Sequence, residues 1–172
     1  MLNTKRISLR YFKKSDIDDL VKICNDKEFN QYIPLPYPYY ENDAKDWILA
    51  MPKRRKAGLE YDFAIIKKDD KKLIGSISLM INKIDPCAEI GYWIAKPFWG
   101  KGYATEATKK IIEFAFENLG LHKVYAKCYR ENVASAKVIQ NSGLVKVGIL
   151  TEHALKNGKF HDCILFELIN KK

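Results

Sequence analysis

Glu89-Ile90-Gly91-Tyr92-Trp93-Ile94-Ala95, followed at once by Lys96-Pro97-Phe98-Trp99-Gly100-Lys101-Gly102-Tyr103-Ala104, is the stretch on which the fold turns. Cys87 to Ala95 reads as a strand. Ala104 opens a helix whose apolar stripe is Ala104, Ala107, Ile111, Ala115 and Phe116, widened by Ile112 and Leu119 and stopped at Gly120. Between them, Gly100 and Gly102 let the backbone turn tightly and approach a ligand with no Cβ in the way. The first N–H groups of the helix lack intrahelical partners, and the helix dipole favours negative charge there. A phosphate or pyrophosphate can therefore be held mostly by backbone; the plainer alternative is a loop whose glycines only solve a turn. A Walker A loop is excluded because Tyr103-Ala104, not Lys-Ser/Thr, follows the last glycine. A dinucleotide fingerprint is disfavoured because Thr105 stands where its third glycine would be.

Working outward, Arg6 to Phe12 alternates as a half-buried strand. Ser15 with Asp18 resembles a capping box, before a helix carrying Ile17, Leu20, Val21 and Cys24 to about Lys27. Pro34, Pro36 and Pro38 make Ile33 to Tyr40 an aromatic loop. Asn42 or Asp43 is expected to cap a second helix through Trp47, Ile48 and Met51, ahead of the basic run Lys53-Arg54-Arg55-Lys56. Strands are expected over 61–66 and 73–81, joined as a hairpin, and over 122–129, 144–151 and 160–169. Asn132 can cap a short helix to Asn141, and Asn157-Gly158 is a hairpin turn. The fold class is α+β, a mixed, mostly antiparallel central sheet with flanking helices. No linker divides the chain, so 1–172 is expected to be one domain.

The 172 residues carry 30 Lys+Arg against 21 Asp+Glu, a net charge of +9. With 47% hydrophobic residues the chain is neither disordered nor fibrous. Cys24, Cys87, Cys128 and Cys163 form no CxxC pair or zinc knuckle and read as free thiols, so no metal is expected. With no signal-peptide core and no long apolar run, the expected location is cytoplasmic and no membrane partner is expected.

The residues Glu89 to Ile94 and Phe98 to Ala107, with Asn132-x-x-Ser135, Asn141-Ser142-Gly143-Leu144 and Asn157 to Asp162, resemble the GNAT superfamily of acyl-CoA-dependent N-acyltransferases. The similarity is strongest to the branch that acetylates N-terminal amines of ribosomal proteins. The pyrophosphate-loop pattern reads Trp99-x-x-Gly102-x-Ala104, with tryptophan in its first position. The opening Arg6 to Arg10 and the Asp16 region match the family's usual start. The resemblance implies a GNAT fold with a strand splay between 87–95 and 122–129, and acetyl-CoA as cofactor. It implies that the backbone of Trp93, Ile94 and Ala95 pairs with pantetheine. Trp99, Gly100, Lys101, Gly102, Tyr103 and Ala104 would form the pyrophosphate loop. Asn132 would hydrogen-bond the pantetheine arm, although a helix cap needs no ligand.

The chemistry is direct attack of a neutral amine on a thioester in a ternary complex, giving CoA as product. Glu89 is the candidate base, directly or through water; its alternative is a structural hydrogen bond. Many family members carry a tyrosine seven residues after the asparagine as general acid, but here that position is Ile139. Ser135 is the substitute, and Cys128, Tyr129 and Tyr103 are weaker candidates. The acceptor site is expected from the 28–40 loop, the second helix and the 151–162 hairpin, with Tyr32, Tyr37, Tyr39, Trp47 and His161 as substrate-binding residues. His161 and Asp162 should face opposite ways. The expected acceptor is a ribosomal or other protein N-terminus. A metabolite, polyamine or antibiotic amine is the alternative, and a non-catalytic CoA-binding protein or a nucleic-acid-binding module using Lys53 to Lys56 are others. A direct nucleic-acid role is not expected from charge alone. The expected state is a monomer or a homodimer.

Overall fold

The computed structural model describes residues 1–33 and 35–171; Pro34, in the aromatic loop, and Lys172, in the expected domain, lie outside them. The described chain forms strands β1 (Leu2–Asn3) and β2 (Ile7–Arg10) and helices α1 (Ile17–Cys24) and α2 (Glu41–Lys56). There follow β3 (Glu60–Lys67), β4 (Leu73–Asn82), β5 (Cys87–Ile94), α3 (Tyr103–Glu113), β6 (Lys123–Tyr129), α4 (Val133–Asn141), β7 (Val145–Lys156) and β8 (Lys159–Ile169). The strands make one sheet in the order β1-β2-β3-β4-β5-β6-β8-β7. Among the described strands only β5 and β6 run parallel, because α3 forms the crossover between them.

Alternation along the strands sends apolar side chains to both faces. On one face Ile7, Phe63, Ile77, Leu79, Ile90 and Val124 pack under Ala107 and Ile111 of α3 and Ile139 of α4. On the other, Ala64, Ile66 and Leu73 pack against Leu20 and Cys24 of α1 and Ala44 and Ile48 of α2. The four cysteines are free, and Cys24, Cys128 and Cys163 are buried. Among the described residues no helix is long and apolar enough to cross a membrane.

Several boundaries differ from the sequence reading for local reasons. The Asp16 carboxylate, not Ser15 or Asp18, reaches back to the Lys13 N–H at 2.8 Å ahead of α1. α1 ends at Cys24 because the next side chain, Asn25, bonds the Val21 carbonyl at 2.9 Å and both backbone polar groups of Tyr39. α2 starts at Glu41, with Asp43 accepting from the Tyr40 N–H at 2.7 Å. It continues through Pro52, so Lys53 to Lys56 form its last turn, where cations complement the carbonyl end. Arg54 bonds Glu60 at 2.7 Å and Arg55 lies 3.7 Å over the Tyr11 ring, so half of the basic run has intramolecular partners. The expected helix to Leu119 is α-helical only to Glu113 and widens into a π turn over Phe114–Asn118. There Phe114 meets Tyr61 and Phe63 edge-on, each 5.6 Å away. Asn157 and Gly158 both have positive φ, as the tight β7–β8 turn requires.

Candidate active site at the strand splay

β5 and β6 begin as neighbours and then part. Their register holds for Cys87 with Lys123, Ala88 with Val124 and Glu89 with Tyr125, and stops there, although β5 runs to Ile94 and β6 to Tyr129. On its other edge β5 stays paired with β4 as far as Ile94. The Ala95 N–H donates to the Ile74 carbonyl at 2.9 Å. By alternation, the polar backbone groups of Trp93 and Gly91 also turn to β4, whereas those of Ile94 and Tyr92 face the gap. This corrects the expectation for Trp93 and Ala95, whose backbones are committed to the sheet. The Trp93 ring packs edge-on to Phe29 at 5.3 Å, on the α1/α2 face. The Trp99 indole Nε1 donates to the Ile94 carbonyl at 2.5 Å, which leaves the Ile94 N–H turned to the gap.

The glycine turn lies at the mouth of this gap. Gly100 and Gly102 have φ of +71° and +78°, and Gly102 is the residue before α3. A Cβ at Gly100 would meet nothing within 4 Å, so the turn opens outward. The first intrahelical bond runs from the Glu106 N–H to the Gly102 carbonyl, so the Tyr103, Ala104 and Thr105 N–H groups precede the helical ladder. Arg6, which the sequence reading did not place here, braces the turn. Its guanidinium donates to the Lys101 carbonyl at 2.8 Å and to Glu106 at 2.6 Å, and lies 4.6 Å over the Tyr103 ring. Burial alone would raise the Glu106 carboxyl, but hydrogen bonds from Thr4 and Arg6 outweigh it and hold it below its ordinary value. Tyr103 itself is buried, so only its backbone can serve a ligand. The Lys101 ammonium folds back onto the Pro97 carbonyl at 2.9 Å.

At the inner end of the gap, Asn132 Oδ1 accepts from the Ser135 N–H at 3.0 Å and starts α4. The Ser135 Oγ lies 2.7 Å from the Tyr92 hydroxyl. Tyr92 was not singled out by sequence reasoning; its position on the diverging end of β5, facing α4, was the only signal. Ile139 is buried in the main core. Burial, and then the neighbouring Cys163, push the Cys128 thiol up to about 11 against the opposing influence of Ser135, which makes a thiolate nucleophile unfavourable.

Glu89 lies on the opposite face, ion-paired with Lys127 at 3.2 Å. Two residues beyond Lys127, Tyr129 stands 6.2 Å from Tyr32 and 5.2 Å from His161. These three rings line a cleft of about 440 Å³ with Gln31, Glu131, Lys156, Asn157 and Lys159. Tyr32 and His161 are thus brought together. Tyr39 is not with them: it is 4% exposed in the α1/α2 core, where burial raises its phenol above the ordinary value. Trp47 packs on Phe12 at 5.0 Å in the same core, and Tyr37 is exposed and outside the cleft lining. The α2 wall expected for the acceptor site is therefore absent from this cleft. Asp162 turns away from His161 and accepts from the Glu152 N–H at 3.0 Å.

The GNAT acetyltransferase domain model matches residues 6–145, and the chain belongs to that family. An uncharacterized N-acetyltransferase, p20, of Bacillus licheniformis is 31% identical over 173 residues, covering 99% of this chain and 97% of that protein. Spermidine N(1)-acetyltransferase of Vibrio cholerae is 25% identical over 168 residues, covering 97% of this chain and 95% of its own. The crystal structure of ribosomal-protein-S5-alanine acetyltransferase from Vibrio fischeri superposes with a TM-score of 0.84 at 26% identity, covering 98% and 96% of the two chains. The chain is accordingly an acetyl-CoA-dependent N-acetyltransferase. The outward-opening turn, the helix start and the edge of β5 that parts from β6 after Glu89 fit that cofactor: an anion site joined to a strand edge.

Proposed function

We propose that this enzyme acetylates the N-terminal amine of a protein, a ribosomal protein being the favoured class. The observation that carries this reading is the charge of the Tyr32–Tyr129–His161 cleft. Among the described residues its one lining carboxylate, Glu131, lies 3.6 Å from His161 Nδ1, and Lys156 and Lys159 also line it. A polyamine, with several ammonium groups, would meet cations there. A peptide terminus brings one amine and a chain of amides that aromatic and amide side chains can bind. The Vibrio fischeri neighbour supports the same class, and the spermidine relative supports the small-amine alternative.

Acetyl-CoA supplies an activated acetyl thioester and a thiol leaving group. The residues that would hold it are Gly100 to Ala104 for the pyrophosphate and Tyr92, Ile94 and Asn132 for the arm. The Ile94 N–H faces the gap and serves the thioester carbonyl oxygen, where charge develops. Glu89, ion-paired with Lys127 on the cleft side of the sheet, receives the amine proton through water. Ser135 donates a hydrogen bond toward the sulfur, which needs little more help because a thiol titrates near 8.5.

Release of free thiol from acetyl-CoA tests the reading, using peptides with a free or an N-terminally blocked serine or alanine, spermidine, and an aromatic amine. Turnover is expected with free peptides and not with blocked ones. Faster turnover of spermidine or the aromatic amine than of every free peptide would overturn it.

A further inference from the structure

The Ser135 hydroxyl is held from the β5 wall of the splay. Tyr92, on β5, places its hydroxyl 2.7 Å from Ser135 Oγ and 3.2 Å from the Ser135 carbonyl. Below, Asn132 fixes the serine backbone at the start of α4. A hydroxyl has one hydrogen and two lone pairs, so its direction is set by whichever partner must donate to it. Tyr92 is such a partner: its phenol, raised by burial above the ordinary value, keeps its proton, and the serine hydroxyl at 2.7 Å is a nearer acceptor for it than the Ser135 carbonyl at 3.2 Å. The Cys128 thiol, raised by burial and by Cys163, also stays protonated and is a weak acceptor.

Resting on the role given to Ser135 above, we infer that Tyr92 is the positioning residue for that serine. Its phenol donates to Ser135 Oγ and turns the single serine hydrogen into the gap between β5 and β6, toward the cofactor sulfur. Tyr92 transfers no proton. It fixes the direction in which Ser135 donates. This also accounts for the apolar residue at 139. With Ile139 buried in the core, the phenol that serves the sulfur end of the site comes from β5 and acts through the serine.

The test uses CoA itself, with no acceptor amine. The bound CoA thiol is titrated by its thiolate absorbance in the ultraviolet, and the affinities of CoA and desulfo-CoA are compared by calorimetry above the thiol pKa. In the wild-type protein a hydrogen bond from Ser135 lowers the bound thiol pKa and favours CoA over desulfo-CoA by about tenfold. Ser135→Ala removes both effects and Ser135→Thr restores them. Tyr92→Phe keeps the ring and is expected to remove most of the preference, with the double variant losing no more than Ser135→Ala alone. Replacing Tyr92 by a fluorinated tyrosine keeps the ring and its hydroxyl and strengthens the donor. It is expected to lower the bound thiol pKa further, and it serves if Tyr92→Phe does not fold. If Ser135→Ala leaves the thiol titration unchanged, the role of the serine fails and Tyr92 with it. If Ser135→Ala shifts the titration but neither Tyr92 replacement does, the positioning role alone is overturned.

Discussion

Asp62 on β3 is 4% exposed, faces α2, and its Oδ2 has no hydrogen-bond partner among the described residues. Burial, followed by the nearby Glu60, pushes its carboxyl from 3.8 up to about 7, against the attraction of Arg54 and Arg55. A carboxyl raised in the folded chain binds its proton more tightly there than when unfolded. Its contribution is therefore most favourable below the unfolded value near 3.8 and is lost as pH rises toward about 7. At about 1.4 kcal/mol per pKa unit the cost is about 2 kcal/mol at pH 5 and about 4 kcal/mol at pH 8. Asp62→Asn has nearly the same shape and cannot ionise. Relative to wild type, the variant should gain about 2–3 kcal/mol on going from pH 5 to pH 8. Urea denaturation of both proteins at the two pH values measures this double difference, in which the pH-independent cost of the amide cancels. Parallel stability-versus-pH curves would refute the reasoning, because they would mean that Asp62 ionises as readily folded as unfolded.

Two more substitutions probe the cofactor cleft. Asn132→Ala should remove the bond to the Ser135 N–H, lower stability by about 1 kcal/mol and lower Tm by about 2–4 °C. Calorimetry should show a smaller stabilising shift by CoA for this variant than for wild type; an equal shift would leave Asn132 as a cap alone. Gly102→Ala places a methyl at φ +78°, 3.4 Å from an Arg6 guanidinium nitrogen. It should cost about 1–2 kcal/mol and weaken CoA binding by titration calorimetry, because strain and the displaced brace act on one turn.

The sequence by itself determined the secondary structure that carries the cofactor. The Gly100–Gly102 turn follows from local chemistry, since glycine has access to positive φ. So do the α3 stripe, the Asn132 cap and the Asn157-Gly158 hairpin, because each is written within a few residues. The family motif rests on the same contiguous stretch. What only the tertiary structure decided is how residues far apart in the chain meet. Arg6 reaches the turn about a hundred residues on because β1 and β2 lie beside the start of α3. Tyr92 meets Ser135 because β5 and β6 diverge above α4, and no local period encodes where a parallel pairing stops. The aromatic residues divide for the same reason. Tyr32, Tyr37, Tyr39 and Trp47 read alike in sequence, yet the packing of α1 and α2 buries Tyr39, seats Trp47 on Phe12 and leaves Tyr32 beside Tyr129 and His161. Burial is a property of the assembled layers, and it separates the residues of the cleft from those of the core.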